Sequence, residues 1–165
     1  MPPARGAAAR ERPPGASHAG CLYVESSAVL RVLLERDAVF VTALREFTRF
    51  LTSSLTLVEV RRAIARARRE GRLTQPAYVR ALRQAQRFAA SCAVVELTPA
   101  VRERAAAQFP AEPVRSLDAI HLATIVTQAD LFAPIVVASC DSRVRDNAEA
   151  LGYAVVPRKL AAARS

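Results

Sequence analysis

Four acidic side chains stand next to buried elements of the pattern: Glu25, Glu59, Asp118 and Asp141. Glu25 directly follows the apolar run Cys21-Leu22-Tyr23-Val24, and Asp141 comes after Ile135-Val136-Val137-Ala138 and two intervening residues. Glu59 and Asp118 each sit near the start of a helical pattern. Brought to one edge of a sheet, such carboxylates repel one another unless a cation lies between them, and hard oxygen donors with room for water suit Mg²⁺ or Mn²⁺. The chain around them is rich in arginine, whose planar guanidinium grips a phosphate with two hydrogen bonds. A metal-held acidic pocket flanked by arginines is what hydrolysis of a phosphodiester needs. The metal activates water and stabilises the leaving oxygen, the guanidinium groups hold the backbone, and no covalent nucleophile is required.

Each of these residues also has a plainer explanation. Thr56-Leu57-Val58-Glu59 matches a capping box, which makes Glu59 the partner of Thr56. Asp118 lies in the first turn after Ser116 and Asp141 at a helix start, where a negative charge gains ~0.3–1 kcal/mol from the helix dipole. Glu25 has no such propensity-based explanation, and a solvated loop position is its alternative. Arg115 and Arg143 flank two of the acidic positions and are the candidate contacts to a substrate phosphate, with local ion pairing as the other reading. His121, three residues after Asp118, shares its helix face and reads as packing or hydrogen-bonding support rather than as a general base. Asp146 and Asn147 read as solvated helix positions rather than as outer contacts to metal-bound water, and His18 reads as part of a disordered tail. Cys21, Cys92 and Cys140 are odd in number, widely spaced and without a C-x-x-C pair, which disfavours a disulfide framework or zinc cluster and fits buried thiols in a reducing cytoplasm.

Short strands alternating with helices must position these groups. A strand over 21–24 leads to a helix capped by Ser26-Ser27 and carrying Ala28, Val29, Val32 and Leu33. A helical stretch over 39–50 precedes a short strand over 50–53. The helix opened by Thr56 buries Val60, Ile64 and Ala67, spreads Arg61, Arg62, Arg66, Arg68 and Arg69 over its other surfaces, and stops at Gly71. Thr74-Gln75-Pro76 restarts a helix that runs to Ser91, so the two form a helical hairpin. Further strands are predicted over 93–97, 135–138 and 153–156, and further helices from Thr98-Pro99, from Ser116 to about Ala129, and from Asp141 to Gly152. Continuous apolar strands separated by helices predict an α/β fold with three α/β/α layers, a mostly parallel central sheet, and ligands outside the strands' carboxyl ends.

At 165 residues, with 52% apolar and 24% charged residues and a mean hydropathy of +0.12, the chain fits one folded domain and excludes wholesale disorder. No window approaches ~18 uncharged apolar residues, which excludes a membrane-spanning helix and predicts a soluble, cytoplasmic protein with no membrane partner. The expected organisation is a disordered tail over 1–20, a domain over 21–157 and a C-terminal tail over 158–165. The net charge is +9, and it is unevenly spread: residues 56–90 hold nine arginines against Glu59 and Glu70. The basic hairpin therefore suits a polyanion, while the remaining sheet region is mildly acidic and suits a divalent metal.

With these residues in place the chain resembles the PIN-domain family, and most closely the ribonuclease toxins of VapBC-type toxin–antitoxin pairs. The resemblance rests on four ordered motifs: 22–30 (LYVESSAVL), 53–60 (SSLTLVEV), 117–124 (LDAIHLAT) and 139–143 (SCDSR) followed by Ala148, Leu151 and Gly152. It implies a metal-dependent endoribonuclease in which Glu25, Glu59, Asp118 and Asp141 are the catalytic carboxylates. Glu25, Asp118 and Asp141 would be direct ligands of Mg²⁺ or Mn²⁺, and Ser27 a polar group beside them. It further implies an RNA substrate, a VapB-like antitoxin that inserts near the acidic pocket, and a homodimer to which the hairpin contributes. The family's first acidic residue is usually aspartate. Glu25 is one methylene longer, which Mg²⁺, with its near-octahedral demand at ~2.0–2.1 Å, tolerates less well than Mn²⁺. Two alternatives share the same residues: an inactive or weakened RNA- or antitoxin-binding module, and a Mg²⁺-binding signalling domain, which usually needs a lysine where this chain has only Lys159 in its tail.

Overall fold

Alternation along the first strand explains the layering. The computed structural model describes residues 18–158, and β1 (His18–Val24) sends Cys21 and Tyr23 to one face and Leu22 and Val24 to the other, all fully buried. The chain continues through α1 (Ser26–Leu30), a π-helical turn over Arg31–Glu35, α2 (Ala38–Arg45) and β2 (Phe47–Ser53). The hairpin follows as α3 (Ser54–Arg69) and α4 (Gln75–Ser91), and then β3 (Cys92–Val95) and α5 (Pro99–Ala106). The last elements are α6 (Ser116–Thr127), α7 (Ala129–Phe132), β4 (Ile135–Ala138), α8 (Ser142–Ala150) and β5 (Ala154–Val156). The sheet order is β3-β2-β1-β4-β5, and every pairing is parallel, so the expected mostly parallel sheet is wholly so.

Two cores result. Leu22 and Val24 pack with Val29, Phe40, Val60, Ile64 and Ala81 beneath α1 to α4, whereas Tyr23, Leu122, Ile125, Val137 and Val144 pack beneath α5, α6 and α8. The connection order reverses at β1, whose carboxyl end lies between those of β2 and β4, and this switch point is where parallel sheets bind ligands. Thr52 Oγ1 donates to the Val24 carbonyl at 2.7 Å and the Glu25 N–H donates to Ala138 O at 3.0 Å, which locks the three strand ends together.

Several boundaries differ from expectation for local reasons. β1 begins at His18, inside the stretch expected to be tail, because it pairs with Phe47. The expected tail segments 1–17 and 159–165 lie outside the described residues. A Cβ on Gly20 would stand 2.6 Å from the Pro134 carbonyl oxygen, so glycine lets β1 approach the chain entering β4, where Cys21 N–H donates to that carbonyl at 2.9 Å. The helix expected over 39–50 ends at Arg45, since Phe47–Ser53 form β2. α1 is capped by Glu25 rather than by Ser26 or Ser27, and α3 by Ser53, whose Oγ accepts from Leu55 N–H at 3.2 Å. The expected capping box is therefore absent, and the buried Thr56 Oγ1 has no partner among the described residues. Gly71 (φ 74°) and Gly152 (φ 88°) end their helices as expected.

Two side chains outside the acidic set hold the loops that carry it. Asn147, fully buried rather than solvated, accepts from Ala111 N–H at 2.9 Å and donates to Ala111 O at 2.8 Å, fastening the loop before α6; Asp146 is exposed as expected. Arg145, only 8% exposed, donates to Ser139 O at 3.0 Å, Val156 O at 3.3 Å and Pro157 O at 2.7 Å, tying together the carboxyl ends of β4 and β5. Arg145→Ala removes these charge-assisted bonds and leaves buried carbonyls unsatisfied. Stability is expected to fall by about 2–4 kcal/mol, seen as a lower denaturant midpoint at unchanged slope.

Candidate metal centre

Glu25 leaves the end of β1 and turns back over α1. Its Oε1 accepts from Ser26 Oγ at 2.6 Å, and its Oε2 accepts from Ser27 N–H at 3.0 Å, from Ser139 Oγ at 3.0 Å and from Ser27 Oγ. The two hydroxyls are themselves held: Cys140 N–H donates to Ser27 Oγ at 2.8 Å, and Asp141 N–H donates to Ser139 Oγ at 3.0 Å. The carboxylate thus sits in a collar of serine hydroxyls that links the β1 and β4 ends, and it is 5% exposed, not a solvated loop residue. Ser27 reaches Glu25 through both its N–H and its hydroxyl. Ser26, expected as a helix cap, and Ser139, part of the 139–143 motif, both donate to Glu25, contacts the sequence does not reveal although each adjoins the end of a buried strand.

Glu59 projects from the second turn of α3. Its Oε2 lies 2.9 Å from His121 Nε2, and His121 Nε2 lies 3.8 Å from Glu25 Oε1. Donor atoms of Glu25, Glu59 and His121 all fall within 4.8 Å of one another. Burial opposes ionisation of Glu59, but the His121 hydrogen bond and charge and the Ser26 hydroxyl outweigh it, so its carboxyl titrates below the ordinary value. On its other side, His121 Nδ1 lies 2.8 Å from the hydroxyl of Tyr23. Burial, with the charges of Glu25 and Glu59, pushes the Tyr23 phenol well above its usual pKa, keeping it protonated. His121 is thus the hydrogen-bonding residue expected, but what it supports is a carboxylate as well as its helix.

The two aspartates stand beside this group. Asp141 caps α8, its Oδ1 accepting from Arg143 N–H at 2.8 Å and Val144 N–H at 3.4 Å. Asp118 lies in the first turn of α6, and its Oδ2 is buried with no partner among the described residues. Burial and the nearby Asp141 charge push the Asp118 carboxyl up, against the opposing pull of the Arg115 backbone, His121 and Arg143. The structure therefore brings Glu25 and Glu59 into contact range of one histidine and sets Asp118 and Asp141 against each other, outside the tightest donor group. Arg143 reaches Asp118 through its charge, while Arg115 is exposed.

A buried carboxylate oxygen without a partner among the described residues, two mutually repelling aspartates and two close glutamates form an oxygen-rich donor set that could hold a divalent cation. A cleft of ≈ 680 Å³ opens from Ser26, Ser27 and Glu59 along α3 to Arg62, Arg66 and Arg69. These three arginines recur at helical spacing and have no ion-pair partner among the described residues.

A parallel α/β sheet with acidic side chains gathered at its switch point defines an α/β domain whose candidate site lies outside the strands' carboxyl ends. The PIN domain family model matches residues 22–150, and the chain belongs to that family. It is 38% identical over 140 residues to Ribonuclease VapC35 of Mycobacterium tuberculosis, covering 82% of this chain and 95% of the relative. Among solved structures it is similar in fold to VapBC2 from Rickettsia felis bound to a promoter DNA fragment (TM-score 0.58, 5% identity, 82% of this chain and 96% of that one). It is likewise similar to VapBC-1 from nontypeable Haemophilus influenzae (TM-score 0.55, 8% identity, 82% and 96%).

Proposed function

We propose that this protein is the endoribonuclease toxin of a toxin–antitoxin pair, hydrolysing RNA phosphodiesters with Mg²⁺ or Mn²⁺ at the Glu25–Glu59–Asp118–Asp141 pocket. The observation that carries this reading is the convergence of Glu25, Glu59 and His121 within 4.8 Å beside an Asp118 oxygen that has no partner among the described residues. Family membership and the 38% identity to a ribonuclease support it. A bound divalent ion supplies Lewis acidity against the scissile phosphate. Glu25, Asp118 and Asp141 would hold that ion, with Glu59 completing the pocket. Glu59, held ionised, keeps a negative charge there at neutral pH. Arg143 beside Asp118 takes one phosphate, Arg115 is the second expected contact, and Arg62, Arg66 and Arg69 continue the track along the cleft. The spacing of these three along α3, about 6 Å and 4.5 Å at 1.5 Å per residue, is of the order of a nucleic-acid backbone repeat. The groove between α3 and α4, with Leu57, Val58 and Phe88, supports the hairpin's part in a homodimer and in holding a VapB-like antitoxin. No helix of the described residues is long and apolar enough to cross a membrane, in keeping with a cytoplasmic site of action.

Structured RNA incubated with the protein and Mn²⁺ is expected to be cut, and not to be cut after EDTA or by an Asp118→Asn control. Equal cleavage by wild type and control would indicate a contaminant, and none by either would favour a binding module. Replacing Arg62, Arg66 and Arg69 together with alanine is expected to weaken RNA binding about uniformly across sequences and to lower the slope of log K against log[salt] by roughly 2, at ~0.7 per phosphate contact on single strands. An unchanged slope would remove these arginines from the track.

A further inference from the structure

Tyr23 and His121 lie outside the set of four carboxylates, join it at Glu59, and are buried: Tyr23 is 0% and His121 2% exposed. The ring is clamped from both ends, by the Tyr23 hydroxyl at 2.8 Å and by Glu59 Oε2 at 2.9 Å, and its plane stands at 73° to that of Tyr23. Two carboxylate oxygens face Nε2, at 2.9 and 3.8 Å, and Nδ1 faces the Tyr23 hydroxyl, which Thr124 also meets. A proton on Nε2 satisfies the carboxylates, and Nδ1 can then accept the Tyr23 O–H.

Glu59 needs such a hold. It is half-buried at a cleft mouth on a side chain with three torsions, and besides His121 it meets the Ser26 hydroxyl, which already donates to Glu25 at 2.6 Å. We propose that His121 is a positioning residue for the divalent ion: its Nε2–H fixes the Glu59 carboxylate for cation binding, and the Tyr23 hydroxyl fixes the tautomer that makes Nε2 a donor. This rests on the metal-dependent reading above. It assigns His121 no bond to the ion and no proton transfer in the reaction.

The test uses the full chain and Mn²⁺ itself, followed by electron paramagnetic resonance. His121→Gln keeps an N–H donor at the reach of Nε2, whereas His121→Asn places its amide one bond short. Wild type and His121→Gln are expected to bind Mn²⁺ within about threefold of each other, His121→Asn about 10- to 100-fold more weakly, and Tyr23→Phe in between. Because both amide variants alter the core similarly, their difference reports the donor rather than folding, which thermal melts of each would verify. In the metal-free wild type, ¹⁵N spectra of the imidazole are expected to show the Nε2–H form. An Nδ1–H form, equal Mn²⁺ affinity in Gln and Asn variants, or ¹⁴N coupling to bound Mn²⁺ that marks His121 as a direct ligand would each overturn the proposal. A wild-type chain that binds no Mn²⁺ would overturn the metal-dependent reading as well, which separates the two failures.

Discussion

Asp118→Asn is expected to abolish RNA cleavage, by at least ~10³-fold, and at the same time to make the metal-free protein harder to unfold. The first effect removes a carboxylate facing the ion and so several kcal/mol of charge stabilisation in the transition state, at 1.36 kcal/mol per tenfold. The second follows from the cost of keeping Asp118 charged. Its Oδ2 is buried without a partner among the described residues, and both burial and Asp141 push its pKa above the ordinary carboxyl value. A carboxyl with a raised folded pKa binds its proton more tightly in the native state than in the unfolded one. The resulting penalty is fully present at neutral pH, is relieved as pH falls through the raised value, and is gone below the ordinary one. The metal-free wild type should therefore gain stability from this group as pH falls through that window. Asparagine removes the charge at every pH, with a gain of the size usual for single stabilising substitutions, about 0.5–2 kcal/mol. Saturating Mn²⁺ should reverse the order, because an ion at a hundred times its Kd adds about 2.7 kcal/mol to the chain that binds it. Thermal melts of both proteins with EDTA and with Mn²⁺ test this; a variant less stable than wild type in EDTA would contradict it.

Glu25 yields a second large effect, and its sign depends on the replacement. Glu25→Ala is expected to lose cleavage by ~10³-fold or more. It would also cost about 2–4 kcal/mol, because the Ser26, Ser27 and Ser139 hydroxyls and the Ser27 N–H would lose their common acceptor. Glu25→Asp should preserve or raise nuclease activity. Aspartate is the better helix N-cap and still reaches the Ser27 N–H, and its shorter arm suits the strict geometry of Mg²⁺. The ratio of rates in Mg²⁺ and Mn²⁺ should accordingly move toward Mg²⁺. An inactive Glu25→Asp protein would mean that the serine collar is tuned to the longer side chain.

The strands and helices that carry the acidic residues were legible because each is announced locally. Ile135–Ala138 is a run of mostly β-branched residues, Asp141 caps α8 as its position suggests, and Thr74 with Pro76 opens α4. Misreadings occur where two local signals compete or where a partner is distant in sequence. Ser53 and Thr56 both offer a cap for α3, and the end of β2 decides for Ser53, which leaves Glu59 free to meet His121 sixty-two residues away. Asn147 looks like any polar helix residue until Ala111, thirty-six residues distant, closes on it. The Tyr23–His121 contact spans ninety-eight residues, and strand alternation indicates only that Tyr23 faces inward. Spacing reveals which residues belong to one edge of the sheet, but not which of them touch.

The serine collar around Glu25 has a consequence for synthesis. Ser139 and Glu25 are separated by 114 residues, and Asp141 lies beyond Ser139. A chain still emerging from the ribosome possesses Glu25, Glu59 and the arginine-lined helix long before it possesses the β4 end, and a nascent chain halted before residue 139 lacks Asp141 and part of the collar. The centre is thus completed only once residues 139–141 have been made, by contacts of high sequence separation that form late in folding. A chain cut short before Ser139 would carry the arginine-lined helix without a finished acidic pocket.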